Sequence, residues 1–264
     1  MSKVVSSEKI VFIGAGKVAT TLALALKSKR KIIQVYSPHN AKELADKLKC
    51  SYTNDIKKIN PDADIYIIAV KDDAIEEVCK KLKLPDKIVI HTSGSTPLNV
   101  LKTVTGKVGV LWPMYSFTTK SILTPGVPYF IEASDKRTEN IITAIAKELK
   151  GKTYHLNSEK RTMVHMTAVF VNNFPNHLFT IAEVICKDAG IPFSLFTPLV
   201  KATFENVLKQ SSAVSQTGPA SRNEKKIINR HLELLSKNKA HPVYKEIYET
   251  LTKSIIQTGG EKEL

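Results

Sequence analysis

The chain has 264 residues, 42% of them hydrophobic, which is enough for one large domain or two ordinary ones around a sizeable core. Lys and Arg number 39 against 25 Asp and Glu, a net charge of +14, but they are scattered, so the expectation is a solvated basic surface with no nucleic-acid partner. No apolar run approaches the ~20 residues of a membrane span, no signal-peptide pattern opens the chain, and Cys50, Cys79 and Cys186 have neither pairing nor metal-ligand spacing. A soluble cytoplasmic protein with reduced thiols, no membrane partner and no metal is expected.

The first element carries the most information. Lys9 to Ile13 is a short apolar run that leads into Gly14-Ala15-Gly16-Lys17-Val18-Ala19, followed by a helical pattern with Val18, Leu22, Ala25 and Leu26 on one face. In such a strand, turn and helix, Gly14 permits the tight turn, Gly16 lets the backbone approach a pyrophosphate, and Ala19 lets helix and strand pack closely. The helix N-terminus then offers free N–H groups to the phosphates. Gly14, Ala15, Gly16, Lys17 and Val18 are therefore assigned to dinucleotide binding.

Lys31 to Ser37 reads as the second strand. At its end an NAD site carries an acid for the ribose 2′-hydroxyl, yet this chain has Ser37, His39, Asn40 and Lys42, with Arg30 and Lys31 just before the strand. Donors and positive charge in place of a carboxylate suit the 2′-phosphate of NADP. The alternative is that Ser37 and Asn40 cap the next helix, Ala41 to Lys49.

Asp64 to Val70 is a buried parallel strand by its continuous apolar character, so Val70 and Lys71 should line the cofactor cleft, while Asp72 and Asp73 read as helix caps. Lys87 to His91 is the next strand. It delivers His91, Ser93, Gly94 and Ser95 to the same cleft, with Pro97 opening a helix. Ser93 and Gly94 are assigned to nicotinamide or substrate, and His91 is either a hydrogen-bonded strand-end histidine or a catalytic one. Lys107 to Leu111 forms a strand ending in an aromatic loop, Trp112 to Phe117. Val127 to Glu132, a helix from Thr138 to Leu149, and Lys152 to Leu156 complete the expected α/β domain, residues 1–156.

From Asn157 helical periodicity takes over, defining a second domain, 157–264. A long pattern runs from Ser158 to Asp188, with Pro175 as the place for a bend, and further helices are expected over Ser194 to Gln210, Arg222 to Leu235 and Pro242 to Ile256. The tail from Gly259 reads as mobile. On the long helix, three- and four-residue spacing puts His165, Val169, Asn172, Asn173 and Asn176 near one face. That polar row is either a seam between packed elements or part of a site. Thr217-Gly218-Pro219 entering a helix beside Arg222 is either an anion site or a simple cap.

Gly14 to Ala19, His91-Thr92-Ser93-Gly94-Ser95, Pro113-Met114, His165 to Val169 with Asn172-Asn173, and Thr217-Gly218-Pro219-Ala220 together resemble a bacterial family. It is the Rossmann-like family with a C-terminal domain of unknown function, labelled NADP oxidoreductases. More remotely the chain is similar to pyrroline-5-carboxylate reductases, deazaflavin-dependent NADP oxidoreductases and β-hydroxyacid dehydrogenases. The resemblance implies a doubly wound, mostly parallel Rossmann domain, an all-helical C-terminal domain like that of 6-phosphogluconate dehydrogenase, and a homodimer through the helical domains. Two departures stand out. β-Hydroxyacid dehydrogenases carry a catalytic Lys with an Asn one turn later, where this chain has His165 and Val169. The Gly-Ser-Gly-Pro-Ala signature of pyrroline-5-carboxylate reductases is only partly echoed.

The expected function is NADPH-dependent hydride transfer to or from a small carbonyl, imine or hydroxy compound bound between the domains. His165 handles the proton, Asn172 and Asn173 orient the substrate, and Ser93 touches nicotinamide or substrate. The competing expectation is a non-catalytic NADP-binding sensor on the same fold.

Overall fold

The computed structural model describes residues 6–118, 121–237 and 241–258. The tail expected to be mobile lies outside them. The chain divides into two compact units between Phe174 and Pro175.

The first unit is built on an eight-stranded sheet. Its strands are β1 (Ser6–Ile13), β2 (Arg30–Tyr36), β3 (Ser51–Thr53), β4 (Ile65–Ile68), β5 (Ile88–His91), β6 (Lys107–Pro113), β7 (Pro128–Ala133) and β8 (Lys152–His155). They lie in the order β3-β2-β1-β4-β5-β6-β7-β8, all parallel except that β7 runs antiparallel to β6. The chain winds outward from β1 to β3 and then crosses to β4 on the other side of β1. That reversal is the place where a doubly wound sheet opens a crevice at its carboxyl edge. The apolar character of β1, β4 and β5 follows from burial on both faces: Ile10 to Ile13, Ile65 to Ile68 and Val89 to His91 have no exposed surface.

Helices α1 (Lys17–Leu26), α2 (Ala41–Leu48) and α4 (Lys136–Glu148) pack on one face, and α3 (Asp72–Lys80) with the 3-10 turn Leu98–Thr103 on the other. In α1 the buried residues Ala19, Leu22, Ala23 and Leu26 repeat at helical spacing. Asp135 caps α4 by accepting the Thr138 N–H at 2.9 Å. Asn157 caps α5 (Ser158–Ala168) by accepting that of Lys160, also at 2.9 Å.

Three local expectations are corrected. The segment after Pro97 is a 3-10 turn, and Trp112 and Pro113 belong to β6 itself because they pair with Phe130 and Tyr129 of β7. The long helix is interrupted by a π-helical turn, Val169–Asn173, before α6 (Phe174–Asp188). Pro175 supplies the reason, since it has no N–H for the Val171 carbonyl, and the chain closes instead through the Phe174 N–H on the Val169 carbonyl.

The second unit is helical, with most of α6, then α7 (Thr197–Lys209), the short α8 (Ser212–Ser215), α9 (Lys225–Lys237) and α10 (Val243–Thr258). No helix among the described residues is long and apolar enough to cross a membrane. All three cysteines are free, and burial pushes the Cys50 and Cys79 thiols up to about 11.

Candidate active site

The carboxyl edge of the sheet carries two adjoining regions. In the first, Gly14 is locked in place: its φ is +118°, its N–H donates to the Tyr36 carbonyl at 2.7 Å, and a Cβ would fall 2.3 Å from the Ala69 carbonyl oxygen. Only glycine satisfies both the backbone angle and the closeness of the Ala69 backbone just past β4. Gly16 is the opposite case, for a Cβ there would meet nothing within 4 Å. It stands as the N-cap of α1 with no side chain capping the helix, so the first N–H groups of α1 face open space.

Beside them is a cleft of about 300 Å³ lined by Gly16, Lys17, Thr20, Asn40, Glu43 and Lys47 among others. Asn40 spans its wall, accepting from the Ser37 hydroxyl at 2.8 Å and donating to the Ala15 carbonyl at 3.2 Å. Asn40 precedes α2, but its side chain makes no cap bond, so capping is not what holds Ser37 and Asn40 here. His39 and Lys42 are exposed at the same strand end. Val18 and Val70 are half-buried against the core and shape the turn from behind, while Lys71 is exposed.

This donor set, with uncapped helix N–H groups, Lys17 and no acid on the β2 terminus, fits the diphosphate and 2′-phosphate of NADP. Arg30 does not contribute. It is buried at the opposite end of β2 and clamped by Glu148, whose carboxylate accepts from Arg30 Nε and Nη2 at 2.8 Å, and by Glu8. Lys31, the second residue of the same strand, is also at the end away from the cleft.

The second region lies past β5 and β6. His91 is fully buried rather than at the cleft mouth; its Nδ1 accepts the Ser93 N–H at 3.2 Å, so Nε2 carries the hydrogen. Burial, reinforced by the nearby Arg161 charge, lowers its pKa to about 3 and keeps it neutral. Ser93 Oγ accepts the N–H groups of Ser95 (3.1 Å) and Thr96 (2.9 Å), which leaves its own hydrogen to donate. The Ser95 hydroxyl donates to Asp72 at 2.7 Å, so Asp72 ties α3 to this turn instead of capping α3.

His165 packs onto the Ser93–Thr96 turn from α5. A Cβ on Gly94 would lie 2.6 Å from its Cδ2 and 2.7 Å from Trp112, and the rings of His165 and Trp112 meet edge-on at 5.6 Å. Gly94 is thus the residue that lets the turn, the indole and the imidazole meet. His165 remains half-buried.

A π turn over Val169–Asn173 takes up an extra residue, so three- and four-residue counting from His165 does not carry through to Asn172 and Asn173. Asn172 and Asn173 are exposed within the turn, and Asn176 belongs to the second unit. The suggested anion site near Thr217 is also corrected: α9 starts at Lys225, and Arg222 donates to both oxygens of Glu224 at 2.9 and 3.1 Å.

Arg161, with no exposed surface, is the group that sequence reading passed over. Its guanidinium donates to Glu132, to the Thr96 carbonyl at 2.5 Å and to Ser158 Oγ at 3.4 Å. Nothing in the sequence separates it from the other 38 basic residues, because a buried cation is revealed only by its partners.

Fold and edge geometry define a dinucleotide-binding protein of the Rossmann class. Comparison with known proteins makes this specific. Residues 9–94 match the family described as NADP oxidoreductase, coenzyme F420-dependent, and residues 127–255 match a domain of unknown function, DUF2520. A Bacteroides fragilis protein described as a putative NADP oxidoreductase is 36% identical, with 95% of this chain and 98% of that one covered at a TM-score of 0.87. A Thermotoga maritima protein is 23% identical over 96% of this chain and 99% of its own, with a TM-score of 0.70. The pyrroline carboxylate reductase of Plasmodium falciparum, solved with NADP bound, shares the fold at 15% identity and a TM-score of 0.59, over 98% and 99% of the two chains. None of the curated proteins matches. The chain belongs to the NADP oxidoreductase family that joins a Rossmann domain to DUF2520.

Proposed function

We propose that the protein is an NADPH-dependent oxidoreductase acting on a small carbonyl, imine or hydroxy compound, with the reacting centre beside the Ser93–Thr96 turn. NADPH, when bound, supplies the hydride. Gly14 to Val18 hold its diphosphate and Ser37, His39, Asn40 and Lys42 its 2′-phosphate, with Val70, Lys71, Ser93 and Gly94 along the path to the nicotinamide. The Ser93 hydroxyl donates to nicotinamide or substrate. His165 gives a proton to the substrate oxygen or nitrogen as the hydride arrives, or takes it in the reverse direction. Asn172 and Asn173 orient the substrate from the π turn, a kind of irregularity frequent at functional sites.

One observation carries this reading: a half-buried imidazole set against Gly94 and Trp112, at the same sheet edge as the open Gly16 turn. Functionally we divide the chain into a cofactor domain, 1–156, and a helical domain, 157–264, through which two copies associate in the cytoplasm. The exposed Phe204, Val207 and Leu208 of α7 support that association.

The test is loss of NADPH absorbance on incubation with a panel of small oxo acids, imines and aldehydes. Turnover of any member is the expected result. Tight NADPH binding with no turnover across the whole panel would replace the enzyme by an NADP-binding sensor.

A further inference from the structure

Arg161 takes no part in the chemistry proposed above, yet it joins α5 and the Ser93–Thr96 turn of the site to the neighbouring strand β7. From α5 it reaches the Thr96 carbonyl at the end of the β5 turn and Glu132 on β7, and Ser158, one turn earlier on α5, completes the cluster. The Ser158 hydroxyl donates to Glu132 at 2.8 Å while its oxygen accepts the Leu98 N–H at 3.0 Å. Thr96 is bound in turn to Ser93 Oγ, so the guanidinium and the Ser93 hydroxyl act on opposite sides of one tight turn.

His165 follows Arg161 by four residues and so sits one helical turn above it on the same face. The imidazole is thereby set down on Gly94, in the middle of the segment that Arg161 grips. Phe130, two residues before Glu132 on β7, stacks on Trp112 at 5.3 Å, and Trp112 is the other contact of His165. Every neighbour of His165 named here is thus tied to an element that the Arg161 cluster holds.

We propose that Arg161 is the positioning residue of the active site, fixing the distance between His165 and the Ser93–Thr96 turn. The inference rests on the proton-transfer role given to His165. A fully buried cation held by one carboxylate, one carbonyl and one hydroxyl is a rigid strut with little freedom to relax. Lysine cannot replace it, since a single ammonium has no planar fork to reach Glu132 and Thr96 from one fixed geometry.

The experiment is a double-mutant cycle on the full-length protein with Arg161→Met, His165→Asn and the pair, together with Arg161→Lys. Misplacing a catalytic group by about an ångström costs on the order of 10²-fold. Arg161→Met is therefore expected to lower kcat by about 10² with NADPH affinity within about two-fold, because the diphosphate turn is held by other residues. Arg161 acts through His165, so the double variant should be no slower than His165→Asn alone. Multiplying losses would overturn the proposal, as would full activity of a folded Arg161→Met. If Arg161→Met does not fold, Arg161→Lys enters the same cycle with the same criteria.

A second readout needs no substrate. Trp112 is the only tryptophan, so its emission reports the Trp112–His165 contact directly. Arg161→Met and His165→Asn should each change that emission, and the pair should change it no further than His165→Asn does. Unchanged emission in Arg161→Met would overturn the positioning role. Failure of the oxidoreductase reading would show separately, as NADPH binding without turnover in the unsubstituted protein.

Discussion

The two units of the chain are stabilised differently. In the first, Ile10 to Ile13 of β1 and all of β4 and β5 are buried, and two apolar layers close on either side of the sheet. In the second, Ile181, Cys186, Ala220 and Ile228 are the buried apolar residues among those described, while large apolar side chains from Leu178 to Ile256 stand exposed. A sheet covered on both faces satisfies its own hydrophobic requirement, whereas the second unit, about 90 residues long, leaves large apolar side chains exposed, the surface on which the proposed association rests. Cofactor turn, imidazole and strut all belong to the self-sufficient unit. The proposed chemistry thus rests on the buried sheet's own unit, and the proposed association on the apolar helices of the other.

The largest expected effect tests whether the chemistry belongs to the rim of the first unit. His165→Asn should lower turnover by about 10²–10⁴ with NADPH affinity unchanged within two-fold, since Asn keeps one hydrogen-bonding group and adds no bulk. Steady-state rates and a cofactor titration on one preparation decide it. Near-native turnover per folded molecule, with a melting temperature a few degrees lower, would make His165 a packing residue and remove the centre of the proposed site.

The next effect concerns stability and separates the units by pH. Buried His91 has its pKa lowered from 6.5 to about 3, whereas the unfolded chain binds the proton near 6.5. The unfolded state holds more protons between those values. His91 therefore makes stability rise with pH, fully present above about 6.5 and lost as pH falls toward about 3. The slope is at most about 1.4 kcal/mol per pH unit. Denaturant melts from pH 7 to 4 should show this loss, and His91→Asn, which can still accept from the Ser93 N–H, should flatten it. Equal slopes in both proteins would show that other groups govern acid unfolding.

A smaller effect is expected at the cofactor turn. Ser37→Asp places a carboxylate where the hydroxyl now donates to Asn40, so NADPH should bind roughly tenfold or more weakly, about 1.4 kcal/mol, while NADH binds at least as well as before. Parallel fluorescence titrations measure the ratio. Equal loss for both cofactors would mean that the change disturbs the Ala15 turn and does not discriminate at the 2′-position.

These tests fall on features of unequal visibility in the sequence. The Gly14–Ala19 turn, the buried strands and their shared carboxyl edge are legible because hydrophobic periodicity and glycine placement encode backbone directly. His165 was legible as a candidate by residue type, but its contact with Gly94 was not, because that depends on how close α5 comes to the β5 turn. Arg30, Arg161 and Arg222 look alike as basic residues. One proves to be a clamp at the far end of β2, one a buried strut and one a surface pair with Glu224, a division set by carboxylates distant in sequence for the first two. The face taken by the amide row was not legible for another reason: helical counting assumes a constant turn, and the π segment before Pro175 changes it.

The smallest effect on the folded monomer, and the sharpest for the contrast between units, belongs to Leu208 on α7. Its side chain is 87% exposed, so it adds almost nothing to the unit's own core. Leu208→Ala should then shift monomer stability by no more than about 0.5 kcal/mol, as for an ordinary surface substitution. If two copies cover α7, each buries one such leucine, and symmetry counts the loss twice. Burial of a leucine stabilises by about 1.5–3 kcal/mol, so even a partial loss on both sides weakens association by roughly 10²-fold or more. Sedimentation equilibrium at several concentrations reads the association constant, and a denaturant melt at low concentration reads the monomer. A dimer unchanged by the substitution would move the interface away from α7, and an unsubstituted protein that stays monomeric at micromolar concentration would leave its apolar helices without the partner proposed for them.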